Sequence, residues 1–317
     1  MLFTILSSLL LLASRATALG PPPNSIRNIV TFGDSYTLLD TGDPTRTAWP
    51  ILLAGYANLT VFGFAQSGAT CNQSLTPRIY PAVVQDELPA YFDAFEVGNI
   101  TGTADDTLYT IWIGTNDVGP NTLLTGGQIN NATIVDTTAC AVGVLQTLYD
   151  SGARNFLFQN VMIPYELLPI YQVDSYPNKF WTAPRNTTDW NLSIRELAVA
   201  GNKIAELLLR FLVPTLPGAH VGLFDSHTLF QNIVDDPGSF LNGTAPYNVT
   251  GCVQSCVFEL NESISDPGVC TFINGTDRDS YVWWNELHPS EQSDRIVARQ
   301  IANSLQGLGS KYTTWLS

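Results

Sequence analysis

Residues 26–37 have the sequence IRNIVTFGDSYT, and this stretch decides the fold. Its first part, Ile26 to Phe32, is a short β-like run that predicts a buried strand, and the polar turn that follows contains Ser35. Similar short apolar runs recur along the chain, separated by longer segments with helical spacing. This alternation predicts an α/β fold with a mainly parallel sheet.

The predicted elements continue this pattern over the rest of the chain. Five strands are expected, at Ile26 to Phe32, Leu59 to Phe64, Thr107 to Ile113, Asn155 to Asn160 and His220 to Phe224. The clearest helices are expected at Thr133 to Gly152, Asp189 to Leu212 and Pro289 to about Leu305. No internal repeat, low-complexity tract or linker divides the sequence. We therefore predict a single domain over residues 19–317.

Composition and charge narrow the function classes. The chain is 45% hydrophobic and only 13% charged, which is typical of a globular protein and excludes a disordered or collagen-like chain. Its 28 acidic and 14 basic residues give a formal net charge of -14 and a pI of about 4.4. Such a chain repels phosphate backbones and anionic headgroups, so we predict no nucleic-acid partner and no stable membrane association.

Residues 1–18 are predicted to be a secretory signal peptide. The uncharged apolar stretch from Leu2 to Ala13 is followed by small residues that end at Ala18, and the stretch is short for a membrane span. A signal anchor is the alternative. Secretion gives meaning to ten Asn-X-Ser/Thr sequons, at Asn58, Asn72, Asn99, Asn131, Asn186, Asn191, Asn242, Asn248, Asn261 and Asn274. We expect a secreted, extracellular glycoprotein.

The five cysteines leave at least one thiol unpaired within a single chain. In an oxidising compartment, the trio Cys252, Cys256 and Cys270 is expected to contain a disulfide rather than a zinc site, because no His lies near it. Cys140 lies within an apolar helical pattern and is expected to be the buried free thiol. The other pairings, including that of Cys71, stay open.

Reactive residues follow several of the predicted strands. Ligand sites of open α/β sheets lie beyond the carboxyl ends of the strands. There the chain has GDSYT around Ser35, QSGA around Gly68 and GTND around Asn116, and NELHPS surrounds His288 near the C-terminus. A serine between a strand and a helix exposes its hydroxyl at the sheet edge, where amide N–H groups face any anion that forms. Ser35 is therefore the predicted nucleophile.

A serine nucleophile needs a general base, and the chain contains three histidines. His288 is the predicted base, because a turn before Pro289 leaves its ring free to reach inward. His220 heads an apolar strand, which favours a structural role. His227 follows a strand end and is a weak competitor.

The four blocks together resemble the GDSL or SGNH hydrolases. FGDSYT, the lone Gly68, GTND and a terminal His before Pro occur in the order found in that family. The tail WWNELHPSEQSDRIVARQIA, the signal and the sequons are most similar to the fungal secreted branch that includes carbohydrate acetylesterases. The resemblance implies a three-layer α/β/α, flavodoxin-like fold with a five-stranded parallel sheet.

The resemblance also implies roles for individual residues. Ser35 would attack an ester carbonyl, and His288 would take its proton. The oxyanion would be held by the N–H groups of Ser35 and Gly68 and by the side-chain amide of Asn116, which is a neutral donor. No metal or organic cofactor is implied. The expected partner is a small ester or an acetylated oligosaccharide, and the expected state is a monomer.

The chain departs from the family pattern in two places. Asn285 occupies the position, three residues before the His, where the family has an Asp, so a charged triad is in doubt and Asn285 is the candidate orienter of the ring. Leu38 and Leu39 are inserted before Asp-Thr-Gly and are expected to reshape the mouth of the site. Asp34 and Asp117 are interpreted as turn acceptors without a chemical role.

These features predict a secreted serine esterase for short acyl esters, with acetyl groups on plant cell-wall oligosaccharides as the substrate class. One alternative is a lipase or phospholipase-like acylhydrolase. The other is a catalytically silent carbohydrate-binding relative, which Asn285 motivates. Among the tryptophans, Trp112 is expected to pack in the core, whereas Trp283 and Trp284 remain candidates for a sugar platform.

Overall fold

The computed structural model describes residues 20–160, 163–266 and 268–317, so the predicted signal peptide lies outside the described residues. The short apolar runs of the sequence form most of its strands. Their bounds are β1 Asn28–Gly33, β2 Thr60–Gly63, β3 Thr107–Trp112, β4 Asn155–Gln159, β5 His220–Phe224, β6 Asn248–Cys252, β7 Gln254–Cys256, β8 Cys270–Phe272, β9 Tyr281–Trp283 and β10 Thr313–Trp315.

Six of these strands form the central sheet, in the order β2-β1-β3-β4-β5-β10. The strands β1 to β5 are parallel, and their order is that of flavodoxin-like doubly wound folds. The five predicted strands are thus confirmed. The predicted five parallel strands are all present, and the sheet has a sixth strand that was not predicted, because β10 adds to the edge antiparallel to β5. Three partly exposed residues are too short a run to produce a periodic signal.

The interior strands of the sheet are buried along their whole length. Every residue of β1, β3 and β4 is buried. Strands covered on both faces carry near-continuous apolar sequences, and the NIVTF and NFLF segments fit this rule. Their side chains form the centre of the core, including Ile29, Phe32, Phe156 and Phe158.

Helices cover both faces of this sheet. The α-helices are α1 Trp49–Ala57, α2 Leu88–Glu96, α3 Thr115–Val118, α4 Ile134–Asp150, α5 Thr187–Leu212, α6 Ser226–Asp235 and α7 Glu291–Leu305, and a π-helix at Val83–Glu87 leads into α2. Helix α1 packs against α7, and α4 packs against α5. The β1-to-β2 and β3-to-β4 connections run in opposite directions along the sheet, so right-handed crossovers place α1 and α4 on opposite faces. The three helices predicted from periodicity are confirmed within a few residues.

Short 3-10 helices fill several of the connections, at Leu123–Thr125, Tyr165–Leu167, Pro169–Tyr171, Val173–Ser175, Val213–Thr215, Pro237–Ser239 and Gly275–Ser280. Between α6 and α7 the chain makes an excursion in which β6 pairs with β9 and β7 pairs with β8. Within the described residues, no helix has both the length and the apolar character needed to cross a membrane.

Two disulfides close loops of very different length. Cys256–Cys270 joins β7 to β8, which confirms a disulfide within the C-terminal cysteine trio. Cys71–Cys140 ties the loop after β2 to α4, so the prediction that Cys140 is free is wrong. Cys140 is only partly buried on its helix and faces Cys71, a contact that 69 residues of separation hide from the sequence. The free thiol is Cys252.

Candidate active site

The loops after β1 and β3 meet where the sheet changes winding direction. Strand β1 lies between β2 and β3. The connection from β1 to β2 runs towards one edge of the sheet, whereas the connections from β3 to β4 and from β4 to β5 run towards the other edge. In this class of sheet, such a switch point is where ligands bind. Ser35 follows β1 by two residues, and Asn116 lies in α3 directly after β3. The fold itself therefore brings these two residues to the same edge.

Ser35 and His288 are in direct contact although 253 residues separate them. The Ser35 Oγ lies 2.8 Å from Nε2 of His288, and Nδ1 of that ring lies 2.9 Å from the Asn285 Oδ1. The imidazole packs against the rings of Tyr36 and Phe180, at centroid distances of 5.8 and 5.9 Å. The structure thus brings together the predicted nucleophile, the predicted base and the residue in the usual Asp position.

The turn that carries His288 is fixed by a single amide oxygen. Asn285 Oδ1 accepts the backbone N–H groups of Leu287 at 3.0 Å and His288 at 2.9 Å. From the other side, the buried Tyr36 hydroxyl donates to the Leu287 carbonyl at 2.6 Å. Because the Asn285 oxygen already accepts, the ring nitrogen facing it is the one that carries the proton. The Nε2 lone pair is then left to face Ser35.

The environment of His288 favours the neutral imidazole. Withdrawal from water, together with the smaller effect of the nearby positive charges of Arg46 and Lys179, lowers the pKa of His288 to about 3. The ring is therefore in its neutral, proton-accepting form at any pH above that value.

Among the described residues, no carboxylate takes the place of the missing acid. Glu286 is buried but forms no hydrogen bond with His288, and its burial raises its pKa. Asp279 pairs with Arg295 at 2.9 Å. The only described side chain that hydrogen-bonds Nδ1 of His288 is Asn285.

Gly68 adopts a conformation that a side chain would disrupt. Its φ is +75°, and a Cβ there would lie 2.5 Å from the ring of Tyr80. Ser67, the preceding residue, lines the same cavity as Ser35. The loop after β2 therefore reaches the cavity that contains Ser35, and the ring of Tyr80 covers the backbone at Gly68.

Asn116 is linked to the Gly68 loop and to an arginine. Its Nδ2 donates to the carbonyl of Ala69 at 2.9 Å, and its Oδ1 accepts from Nη1 of Arg78 at 3.0 Å. A side-chain amide has two N–H donors. The described residues use only one of them, so the second is available to an incoming group.

Three buried carboxyls support these loops from below. Asp34 Oδ1 accepts the Tyr36 N–H at 2.9 Å, while Asp117 accepts the Thr76 hydroxyl at 2.7 Å and a backbone N–H. Asp34 is thus a turn acceptor, as predicted, whereas Asp117 in α3 accepts from the distant loop after β2 rather than within its own turn. The third carboxyl, Glu87, was not predicted from the sequence; it accepts the N–H groups of Gly33 at 2.9 Å and Gln66 at 3.2 Å.

Glu87 and Arg78 differ in how well the sequence marks them. Val83, Glu87 and Tyr91 lie four residues apart and are all buried, so an acid within an apolar helical stripe could have revealed Glu87. Arg78 lies in an irregular loop, and no periodic pattern marks it.

A cavity of about 430 Å³ opens above the Ser35–His288 pair. Its wall includes Leu38, so the inserted leucine does lie at the site. Other lining residues are Asp43, Arg46, Lys179, Phe180, Gln254 and Trp284. Of the tryptophans, Trp112 and Trp283 are buried in the core, whereas Trp284 contributes to this wall. A neighbouring space of about 60 Å³ shares Phe180 and contains Asn116 and Arg78.

The other two histidines lie elsewhere. His220 lines a different cavity beside Trp315, and His227 lies in α6, 3.3 Å from Asn202. Neither contributes to the wall of the cavity that contains Ser35. Over the described part of the chain, no group of three or more His, Cys, Asp or Glu side chains is arranged to hold a metal ion.

Comparison with known proteins identifies the family. An acetylesterase of Hypocrea jecorina is 27% identical over 93% of this chain and 92% of its own, and one of Thermothelomyces thermophilus is 25% identical over 96% and 98%. A solved structure of a lipolytic G-D-S-L family member from Veillonella parvula aligns with a TM-score of 0.42 at 14% identity, covering 86% of this chain and 94% of that one. The family model of the GDSL-like lipase/acylhydrolases matches residues 29–301. This chain therefore belongs to that family, and it is a carboxylic ester hydrolase.

Proposed function

We propose that this protein is a secreted serine esterase that removes short acyl groups, above all acetyl, from plant cell-wall oligosaccharides. The observation that carries the proposal is the 2.8 Å contact between Ser35 Oγ and Nε2 of His288 at the carboxyl edge of the sheet. Geometry of this kind is what nucleophilic acyl transfer requires of a serine and its base.

In the proposed mechanism, Ser35 Oγ attacks the ester carbonyl while its proton moves to Nε2 of His288. The tetrahedral intermediate collapses to an acyl-serine, and the alcohol leaves with the proton from the imidazolium. Water then attacks the acyl-serine by the same route and releases the carboxylic acid. The oxyanion is held by the N–H groups of Ser35 and Gly68 and by the Asn116 amide. Losing one such donor costs on the order of 3 kcal/mol of transition-state stabilisation.

With Asn285 in the usual Asp position, Ser35 and His288 form a dyad rather than part of a charged triad. Its oxygen holds the imidazole tautomer through the 2.9 Å contact with Nδ1 but supplies no negative charge to the imidazolium. Orientation and electrostatic stabilisation, which an Asp provides together, are separated in this chain.

The size of the free space supports a short acyl group. Beyond Phe180, on the Asn116 side, only about 60 Å³ is open. A space of this size favours a small acyl group such as acetyl over a long chain. The larger cavity, with Trp284, Gln254 and Lys179 in its wall, can take a polar alcohol moiety such as a sugar. The two fungal relatives described above are named acetylesterases.

Hydrolysis of 4-nitrophenyl acetate tests the proposal. The purified protein should hydrolyse it, and Ser35→Ala should abolish turnover while thermal unfolding stays unchanged. Ser265→Ala, at an exposed serine outside the cavity and outside every sequon, is the matched control and should be as active as the wild type. A fluorophosphonate should label Ser35, as located by peptide mass spectrometry. Turnover by the Ser35→Ala variant near the wild-type rate would contradict the nucleophile assignment.

A lipase-like acylhydrolase is the second candidate, and one surface feature favours it. Ile79 and Tyr80, beside Gly68, are exposed apolar residues, with 94% and 42% of their surface accessible. A series of 4-nitrophenyl esters from acetate to laurate separates the two functions. We expect activity to fall steeply beyond butyrate. Faster turnover of laurate, with activation at a lipid interface, would favour the lipase.

A third candidate is a catalytically silent carbohydrate-binding relative, which Asn285 motivates. This function predicts binding of acetylated xylo-oligosaccharide without release of acetate. Measuring acetate release and oligosaccharide binding in one preparation separates it from the esterase.

The proposed secretion is supported by both disulfides, which form in oxidising compartments. Many sequon asparagines are exposed, including Asn58, Asn99, Asn131, Asn186, Asn242, Asn261 and Asn274. Asn191 differs, because its amide donates to the carbonyls of Glu166 and Tyr171. Peptide mass spectrometry of protein secreted from a eukaryotic host should find glycans at exposed sequons and none at Asn191. No mass shift after deglycosylation would weaken the localisation.

A further inference from the structure

One arginine, Arg78, contacts the side chain of Asn116, a proposed oxyanion donor. The contact is to the amide oxygen and not to the free N–H of that amide. Arg78 and Asn116 lie 38 positions apart in sequence, and Nη1 of Arg78 donates to Oδ1 of Asn116 at 3.0 Å. Both residues line the small space beyond Phe180. The arginine therefore touches the amide that the proposed mechanism uses, without lying in the wall of the cavity that contains Ser35.

This contact decides which way the Asn116 amide points. An arginine side chain has five N–H donors and no acceptor, so only the oxygen of the amide can face it. With the oxygen facing Arg78, the nitrogen faces the Gly68–Ala69 loop and donates to the Ala69 carbonyl at 2.9 Å. If the amide were flipped, two donors would face each other at Arg78 and two acceptors would face each other at Ala69. The arginine thus excludes the orientation that could not stabilise an oxyanion.

We infer that Arg78 is a positioning residue for the oxyanion site, acting through the Asn116 amide. The inference rests on the proposed function. A charged donor on the oxygen also polarises the amide and strengthens its remaining N–H as a donor. The gain grows as negative charge develops on the substrate oxygen, so it acts on the transition state more than on substrate binding.

The loop around Arg78 is built to hold the guanidinium in this place. The Arg78 backbone N–H donates to Oε1 of Gln73 at 2.7 Å, and Nε2 of Gln73 donates to the Tyr80 carbonyl. The guanidinium lies 5.3 Å from the centroid of the Tyr80 ring, and that same ring covers Gly68. One short loop therefore contacts two of the three proposed oxyanion residues, Gly68 and Asn116.

The charge of Arg78 is not consumed by an ion pair. No described carboxylate lies within 4 Å of its side-chain nitrogens, although the more distant Asp117 interacts with it electrostatically. Its only described side-chain hydrogen bond is to Asn116. A cation that is partly withdrawn from water and bonded only to an amide is unusual for a purely structural arginine, which normally pairs with an acid.

Arg78→Met tests the inference, because methionine keeps most of the aliphatic part of the side chain and removes the charge and the donors. With 4-nitrophenyl acetate, kcat should fall roughly tenfold to a hundredfold while KM stays nearly constant. Arg78→Lys, whose ammonium keeps the charge and can still donate to an oxygen, should have a kcat between those of the wild type and Arg78→Met. The matched control is Arg299→Met on α7, where an exposed arginine stacks on Tyr56 at 4.7 Å as Arg78 stacks on Tyr80. We expect the control to keep wild-type kinetics.

A double-mutant cycle separates action through Asn116 from any other effect. In the Asn116→Ala background, Arg78→Met should cause no further loss of kcat. Inhibition by a boronic acid, whose tetrahedral adduct presents the oxyanion, should weaken in Arg78→Met by the same factor as kcat. A structural role would not reproduce this match. Additive losses, or a rise in KM at unchanged kcat, would overturn the inference.

The outcomes also separate this inference from the proposed function. If Asn116→Ala is strongly impaired and Arg78→Met retains full activity, only the positioning role of Arg78 is wrong. If Asn116→Ala itself retains full activity, the proposed oxyanion assignment is wrong and the inference falls with it. Thermal unfolding of each variant verifies that it is folded, and Arg78→Lys carries the comparison where Arg78→Met unfolds.

Discussion

The loops that carry Ser35, Gly68 and Asn116 rest on buried carboxyls, whereas the turn that carries His288 rests on an amide. On the first side, which we call the nucleophile side, Asp34 and Glu87 accept backbone N–H groups directly around Ser35. On the second, the base side, Asn285 accepts two backbone N–H groups and the ring. The local task of holding a turn is the same on both sides. The difference is that the acids Asp34 and Glu87 lie on the nucleophile side, where they do not contact His288.

Burial acts on the two sides in the same way, because it favours the uncharged form of each titratable group. It raises the pKa of Asp34 to about 7 and that of Asp117 to about 6, and it raises the pKa of Glu87 as well. It lowers the pKa of His288 to about 3, where Arg46 and Lys179 act in the same direction. The cavity therefore has the cations Arg46 and Lys179 near His288, although the formal net charge of the chain is -14.

The largest expected effect comes from removing the base itself. His288→Ala should lower kcat/KM on the order of 10⁴-fold, because Ser35 loses its proton acceptor. Asn285→Ala should cost only about tenfold, since it removes one hydrogen bond to the ring while the base stays in place. Steady-state kinetics of both variants measure the gap. Equal losses would mean that Asn285 does more than orient His288, and the dyad would be wrong.

On the nucleophile side, Glu87→Gln should loosen the two loops at once. An amide can accept only one of the N–H groups of Gly33 and Gln66, and its own N–H₂ would face the other. A buried unsatisfied donor costs about 1–3 kcal/mol, which urea unfolding detects. We also expect kcat to fall while KM changes little, because Gly33 and Gln66 lead to Ser35 and Gly68. Glu96→Gln, at an exposed position of α2, is the control and should change neither quantity.

Asn285→Asp sharpens the comparison by placing a charge on the base side. A carboxylate beside the ring favours the imidazolium, so the pKa of His288 should rise by roughly one unit or more. The acidic limb of the pH profile of kcat/KM should move to higher pH by the same amount, because that limb reports the free enzyme. The wild type should stay active further into acid than the variant. An unmoved limb would show that Asn285 does not set the pKa of the base.

The sequence predicted the parts of this site that local patterns encode. Ser35, Gly68 and Asn116 follow strands whose apolar runs are visible, so their common edge follows from the topology of a parallel sheet. His288 lies in a short turn before α7, and it was predicted by comparing the three histidines of the chain, in agreement with the resemblance to the family. The roles of these residues stay predictions until the variants are measured.

The missed features depend on contacts between distant segments. Cys71 and Cys140 approach each other only when α4 packs beside the loop after β2, and β10 exists only because the edge of β5 is available. Arg78 lies in an irregular loop whose path is set by Gln73 and Tyr80. No periodicity in the sequence reports such a path, because it is decided by tertiary packing.

The smallest expected effect is on stability, and its sign differs between the two sides. Asp117 has a pKa of about 6 when folded against about 3.9 in an unfolded chain, so its contribution to stability is complete below pH 4 and is lost as the pH rises through 6. His288 has a pKa of about 3 when folded against about 6.5 unfolded, so its contribution is complete above pH 6.5 and is lost as the pH falls towards 3.

Between pH 4 and 6 these two contributions have opposite slopes. The raised pKa values of Asp34 and Asp294, each about 7, act in the same direction as that of Asp117. Asp117→Asn removes one such contribution, so the unfolding free energy should gain less than in the wild type as the pH is lowered. His288→Gln removes the opposing contribution, so the unfolding free energy should gain more than in the wild type as the pH is lowered. Urea unfolding of the wild type and both variants at pH 4, 5, 6 and 7 measures the slopes. If the slope shifts in the same direction in both variants, burial does not move the pKa values of Asp117 and His288 in opposite directions.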